Sequence, residues 1–68
     1  MTLHRGDKVT YIPFPDADKS IWEKGKVKYD QEHDEDFVFV VYKCNDEWSR
    51  FSEYTGARTK ITDLKLGW

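Results

Sequence analysis

Four lysines follow a spacing that could bind phosphate groups. Lys24, Lys26 and Lys28 occupy alternate positions of one segment, and Lys8 lies in an earlier segment that also alternates. Because side chains alternate between the two faces of a β-strand, the three lysines would form a row with steps of about 7 Å, and Lys8 would lie beside them if the two strands pair. This row could contact the backbone of RNA or DNA. The alternative is a solvated strand face that also prevents edge-to-edge pairing.

Large aromatic side chains form a second candidate site. Five rings flank loops rather than strand centres: Trp22, Trp48, Phe51, Tyr54 and Trp68. They could line a groove for a peptide, a methylated side chain or a base, or they could close the ends of a small core. We predict a partner-binding set of Trp48, Phe51, Tyr54 and Trp22. Within it, Trp48 and Phe51 are the best candidates for exposed contacts, because residues three apart share one side of a helical turn.

Histidine, cysteine and acidic residues give little support for catalysis. The histidines, His4 and His33, have no evident nucleophile nearby in the sequence. The single cysteine, Cys44, precedes Asn-Asp-Glu, a setting that does not favour a reactive thiolate, and alone it excludes zinc sites with two or more thiolates. The acidic segment 30–36 could attract a divalent cation or a basic partner, but it lacks the ligand spacing of a calcium loop. We predict no enzyme activity, no cofactor and no metal site.

Length and composition point to one small domain. The chain has 68 residues, of which 35% are charged and 16% are aromatic, so a few large rings supply much of the apolar surface. We predict a single domain over residues 1–68. The net charge of −2 argues against coating of nucleic acid by bulk charge, so such binding would require a local patch. No apolar run approaches the roughly 20 residues of a membrane span, and we expect a cytoplasmic protein without membrane contact, as a monomer or homodimer.

Alternation of apolar and polar residues predicts five short β-strands. The strands are expected within residues 6–13, 22–30, 37–43, 54–61 and 64–68. The interior would take Val9, Tyr11, Val27 and Tyr29. Gly25 would mark a bulge or a bend, and Asn45 or Asp46 could cap a short helical turn. The pattern predicts an all-β fold, a small five-stranded antiparallel barrel with one short helical turn.

The segment FVFVVYK, residues 37–43, has apolar residues on both faces. One face would carry Phe37, Phe39 and Val41, and the other Val38, Val40 and Tyr42. A strongly bent barrel strand can bury both of its faces. Otherwise the surplus face would bind a second copy of the chain or a target protein.

Short motifs resemble those of known small barrels. G-D-K-V-T-Y, E-K-G-K-V and V-F-V-V-Y resemble the opening of Src-homology-3-like (SH3-like) barrels, including KOW and Tudor modules. The chain is also similar to a group of short uncharacterised phage and bacterial proteins. That likeness rests on Glu23–Val27, Val38–Tyr42, Cys44, Trp48, Tyr54–Thr55, Leu64 and Gly67–Trp68. The first likeness implies the fold; KOW modules often engage RNA, ribosomes or transcription machinery, and Tudor modules use aromatic cages for methylated residues. The second implies, by analogy, a modulator of a host protein.

The residues therefore support two binding hypotheses. The first is a non-catalytic module that engages a protein partner through the aromatic set, steered by the acidic segment, in one form a phage-encoded modulator. The alternative is a nucleic-acid-associated KOW-like module that binds RNA or DNA through Lys8, Lys24, Lys26 and Lys28. If the two sites are separate, charge reversal of the lysines should abolish only nucleic-acid binding, and Trp48→Ala should abolish only protein binding.

Overall fold

The computed structural model describes residues 2–32 and 35–68. These residues contain five β-strands: β1 (Lys8–Tyr11), β2 (Glu23–Val27), β3 (Phe37–Val41), β4 (Ala57–Lys60) and β5 (Leu64–Leu66). Short 3₁₀ segments precede β2, β4 and β5; they are Lys19–Ile21, Trp48–Glu53 and Ile61–Asp63. In the described part of the chain, no helix has the length and apolar character needed to cross a membrane. Two residues of the predicted acidic segment, His33 and Asp34, lie outside the described residues.

The strands form one antiparallel sheet in the order β4-β3-β2-β1-β5. Strand β1 pairs with β2, β2 with β3 and β3 with β4, and β5 returns to the free edge of β1, so the sheet curls into a half-barrel. The 3₁₀ turn Ile61–Asp63 makes the short connection between β4 and β5. This arrangement confirms the predicted all-β fold of five antiparallel strands and is consistent with a small Src-homology-3-like fold.

The concave side of the sheet holds the core. Its buried members are Leu3, Val9, Val27, Val38, Val40 and Leu64, with Tyr11, Tyr42 and Ile61 packed against them. Each fully buried valine contributes about 1.5–3 kcal/mol relative to an exposed one. The prediction that Tyr29 faces the interior is wrong, because its side chain is 56% exposed. Strand β2 ends at Val27, so the alternation that places Val27 inside does not extend to Tyr29.

Gly25 is required by close packing and not by a bulge. Its pairing with Val9 belongs to an uninterrupted register between β1 and β2, which corrects the expectation of a bulge. A Cβ atom at this position would lie 2.5 Å from Val40 Cγ1 and 2.9 Å from the carbonyl oxygen of Val41. Glycine therefore allows β3 to approach β2 closely at the centre of the sheet.

Strand β3 buries only part of its second face. Val38 and Val40 point into the core, and Val41, which points the other way, is also fully buried. In contrast, Phe39 is 44% exposed and Phe37 is half-buried. Internal coverage of both faces was expected from strand bending, and the structure provides it at Val41 but not at Phe39.

The predicted helical turn forms, with a different N-terminus. It is the 3₁₀ segment Trp48–Glu53, and its N-cap residue is Glu47, which makes no side-chain capping hydrogen bond. Asn45 and Asp46, the predicted caps, instead adopt positive φ angles of 51° and 63°, a conformation that these two residue types tolerate well. The strand predicted from residue 54 begins later, at Ala57.

Candidate functional site

Positive charge is concentrated on the convex side of the sheet, which we call the outer face. The five strands contain one acidic residue, Glu23, and six basic residues, which are Lys8, Lys24, Lys26, Arg58, Lys60 and Lys65. All six basic residues alternate with inward-facing positions, so they point to the outer face. The register places Lys8 opposite Lys26, and Thr10 between Lys24 and Lys65. This pairing confirms the predicted adjacency of Lys8 to the lysine row.

Trp68 lies on the outer face, close to two of these lysines. Its ring centre is 4.9 Å from Lys8 Nζ and 5.7 Å from Lys24 Nζ. The indole N–H donates to the carbonyl oxygen of Gly25 at 2.9 Å, and the Thr10 hydroxyl donates to the carbonyl oxygen of Gly67 at 2.7 Å. These two hydrogen bonds hold the ring in place, yet Trp68 remains 44% exposed. The result is an accessible aromatic surface with two ammonium groups within about 6 Å of the ring centre.

A second tryptophan repeats this arrangement next to β5. The ring of Trp22 has Lys19 Nζ at 5.7 Å and Lys65 Nζ at 5.9 Å. Its indole N–H donates to the carbonyl oxygen of Ala17 at 3.0 Å, which fixes the ring against the loop before β2. We refer to Trp22, Trp68 and their flanking residues Lys8, Lys19, Lys24 and Lys65 as the cationic–aromatic face.

The segment 48–54 borders this face and is fastened to it by the other two lysines. Trp48 packs edge-on against Trp68, with ring centres 5.0 Å apart. Lys26 Nζ lies 5.3 Å from the ring centre of Phe51 and donates to the carbonyl oxygen of Trp48 at 3.3 Å. Lys28 Nζ donates to the carbonyl oxygen of Tyr54 at 2.7 Å. The four lysines therefore have two different roles. Lys8 and Lys24 are exposed beside Trp68, whereas Lys26 and Lys28 are half-buried and anchor the segment 48–54.

Acidic groups in the same segment have neighbouring partners. The Tyr54 hydroxyl donates to Glu47 Oε2 at 2.7 Å, and this hydrogen bond raises the pKa of Tyr54. Arg50 Nε lies 2.6 Å from Glu53 Oε2, and the hydrogen bond lowers the pKa of the Glu53 carboxyl group. Because Glu53 is paired with the positive charge of Arg50, it reduces the positive potential of the neighbouring face less than an isolated charge would.

The lysines and the aromatic residues, which the sequence presents as two alternative sites, lie next to each other in the structure. Trp48, Phe51 and Tyr54 are half-buried rather than exposed, since they pack beside Trp68 and the lysines. The sequence did not assign Lys19 or Lys65 to a site. The alternation in Leu64-Lys65-Leu66 is a signal for the direction of Lys65, but its position beside Trp22 depends on the pairing of β5 with β1.

Comparison of the chain with protein-family models, curated protein sequences and solved structures finds no significant match. The similarity to KOW and Tudor modules and to the phage and bacterial group therefore stays a prediction. Within the described residues, no group of three histidine, cysteine, aspartate or glutamate side chains is placed to hold a metal ion.

Proposed function

We propose that the protein is a non-catalytic binding module that holds single-stranded nucleic acid on the cationic–aromatic face. The observation that carries the proposal is the exposed ring of Trp68 with the ammonium groups of Lys8 and Lys24 within about 6 Å of its centre. Rings that stack on bases, combined with lysines that contact phosphates, are the usual elements of proteins that bind single strands. The module needs no bulk positive charge, because its basic strand residues are gathered on one side of the sheet.

A single strand fits these residues better than a duplex. A base can stack on Trp22 or Trp68 only if its own ring face is open, which requires an unpaired nucleotide. Two such rings, each beside two lysines, offer alternating contacts to bases and to the backbone. These contacts do not read base edges, so we expect little sequence preference.

The protein-partner hypothesis has less support on this face. All four of its residues, Trp22, Trp48, Phe51 and Tyr54, are half-buried by packing within the chain. An interface usually draws its binding energy from a few large side chains that become buried on association. These rings have already lost part of the surface that a protein partner would cover.

Fluorescence anisotropy of labelled 12-nucleotide oligomers tests the proposal. We expect the protein to bind single-stranded oligothymidylate and oligouridylate more tightly than a 12-base-pair duplex. Trp68→Ala and Trp22→Ala should each weaken binding by at least about 5-fold, since one stacked base contributes about 1–3 kcal/mol. Near-UV circular dichroism confirms that each variant is folded.

Lys43→Glu provides the matched control for charge. Lys43 is exposed and borders a different groove with Glu23 and Tyr42, so its reversal should reduce affinity much less than Lys24→Glu. Equal affinity for single and double strands would overturn the proposal. Unchanged affinity in both tryptophan variants would also do so.

A further inference from the structure

A second groove lies beyond the cationic–aromatic face, where β3 and β4 meet the connection between β2 and β3. Its volume is about 420 Å³. Its aromatic lining consists of Tyr29, Phe37 and Phe39, and its acidic lining of Asp30, Glu32 and Glu35. We call it the acidic–aromatic groove. It shares no residue with the cationic–aromatic face and has the opposite sign of charge at its rim.

The rings of this groove are accessible and already accept cations from the chain itself. Tyr29 and Phe39 are 56% and 44% exposed and pack edge-to-face with ring centres 6.2 Å apart. The guanidinium carbon of Arg58 lies 3.8 Å from the ring centre of Phe37, and Lys28 Nζ lies 5.5 Å from that of Tyr29. Phe37 is thus covered by Arg58, while Phe39 and Tyr29 keep open surface for a further group.

Hydrogen bonds hold the acidic rim in position. Gln31 exchanges two bonds with Leu3, in which the Gln31 N–H donates to the Leu3 carbonyl and the Leu3 N–H donates to Gln31 Oε1, both at 2.9 Å. The Gln31 side-chain amide also donates to the carbonyl oxygen of Glu35 at 3.1 Å. The backbone N–H of Arg5 donates to Asp30 Oδ1 at 2.8 Å. A rim that is positioned in advance lowers the ordering cost of binding.

We propose that the acidic–aromatic groove binds an arginine-containing segment of a protein partner. The lining has three carboxylates and one guanidinium group, that of Arg58, and Lys28 Nζ lies 5.5 Å from the Tyr29 ring centre, so the net charge is negative and complements a cation. A planar guanidinium can stack on Phe39 or Tyr29 while its N–H groups pair with rim carboxylates, which an ammonium group does less well. The protein then has two faces of opposite preference, one for a polyanion and one for a cationic peptide.

Peptide titration tests this groove without reference to nucleic acid. The probe is a fluorescein-labelled heptapeptide, Gly-Ala-Arg-Leu-Arg-Ala-Gly, and its counterpart carries glutamate in place of both arginines. We expect only the arginine peptide to bind, with ¹⁵N amide shifts centred on Tyr29, Glu32 and Phe39. Phe39→Ala should weaken binding by about 10-fold and Glu32→Gln by about 3-fold. Trp22→Ala, a variant of the other face, should bind the peptide as the wild type does.

Several results would overturn this inference. One is equal affinity for the two peptides. Another is peptide-induced ¹⁵N amide chemical-shift changes at Trp22 and Trp68. The third is amide shift changes in the groove when oligothymidylate, and not the peptide, is added. If Phe39→Ala fails to fold, Tyr29→Ala and Glu32→Gln still test whether the peptide binds in the groove. Both side chains are exposed, so we expect these variants to fold. Loss of oligonucleotide binding alone would refute the proposed function and leave this groove unaffected.

Discussion

Lys26 joins the two candidate sites, because its ammonium group donates to the carbonyl oxygen of Trp48 at 3.3 Å and lies 5.3 Å from the ring centre of Phe51. Charge reversal at Lys26 would therefore disturb the aromatic segment as well as the lysine row. Trp48→Ala would likewise remove the ring that packs on Trp68. Neither change can separate nucleic-acid binding from protein binding. Variants that separate them must lie at Lys8 and Lys24, which belong only to the lysine set and lie away from this contact.

The anchoring role of Lys26 predicts a loss of stability that an exposed lysine would not show. Lys26→Ala removes the hydrogen bond to Trp48 and the contact with Phe51, so we expect the free energy of unfolding to fall by about 1–2 kcal/mol. Lys60→Ala is the control, because Lys60 is exposed on the edge strand β4 and should change stability by less than about 0.5 kcal/mol. Urea denaturation measures both. Equal midpoints for the two variants would contradict the anchoring role.

Gly25 should be intolerant of any side chain. Gly25→Ala places a methyl group 2.5 Å from Val40 Cγ1 and 2.9 Å from the Val41 carbonyl oxygen, and overpacking of this kind costs about 1–3 kcal/mol or more. Gly67→Ala is the contrast, since nothing lies within 4 Å of its Cβ position and only its φ of +91° opposes a side chain. Thermal unfolding measures the loss of stability in each of the two variants.

A double-mutant cycle identifies the cause of the Gly25 effect. If contact with Val40 is the main cause, Val40→Ala should make Gly25→Ala less costly, with a favourable coupling free energy of about 0.5 kcal/mol or more. Additive effects of the two substitutions would instead assign the cost to the Val41 backbone.

The Tyr42 hydroxyl should lose its proton at a higher pH than an ordinary tyrosine does. Burial raises its pKa from 10.0 to about 12, and its hydroxyl shares a 2.7 Å hydrogen bond with Thr59 Oγ1. Because the folded pKa exceeds the unfolded value, the stabilising contribution of the neutral phenol is complete below pH 10 and is lost as the pH rises through about 12. Absorbance titration of the tyrosinate band should show a late component that disappears in Tyr42→Phe, whereas the contribution of Tyr54, whose pKa is also raised by its hydrogen bond to Glu47, should remain. A late component of unchanged amplitude in Tyr42→Phe would contradict this.

Local alternation in the sequence was sufficient for most of the fold. Val9 and Val27 were correctly predicted to lie inside, and the segment 64–68 was correctly expected to contain a strand, because period-two patterns report side-chain direction directly. The prediction that Tyr29 lies inside was wrong because the alternating pattern continues in the sequence past the end of β2. The bulge expected at Gly25 is absent, and the real reason for the glycine, the close approach of β3, could not be inferred from the neighbouring residues.

The candidate site was less accessible to sequence reasoning, because it depends on contacts between distant parts of the chain. Trp68 and Lys24 meet only after β5 pairs with β1 and the indole bonds to the Gly25 carbonyl. The same pairing brings Lys65 to Trp22. Residue types identified the rings and the lysines separately, whereas their combination into one face required the tertiary structure.

The salt dependence of oligonucleotide binding provides the most specific test of the lysines beside Trp68. For single strands, log K falls with log salt concentration by about 0.7 for each phosphate contact. If Lys8 and Lys24 each contact a phosphate, Lys8→Ala and Lys24→Ala should each reduce the slope by about 0.7. Trp68→Phe should lower the affinity and leave the slope unchanged. Lys43→Ala, the control outside the face, should leave the slope unchanged. A slope that responds equally to all three lysine substitutions would mean that the polyanion senses overall charge, and that Lys8 and Lys24 do not form a defined phosphate site.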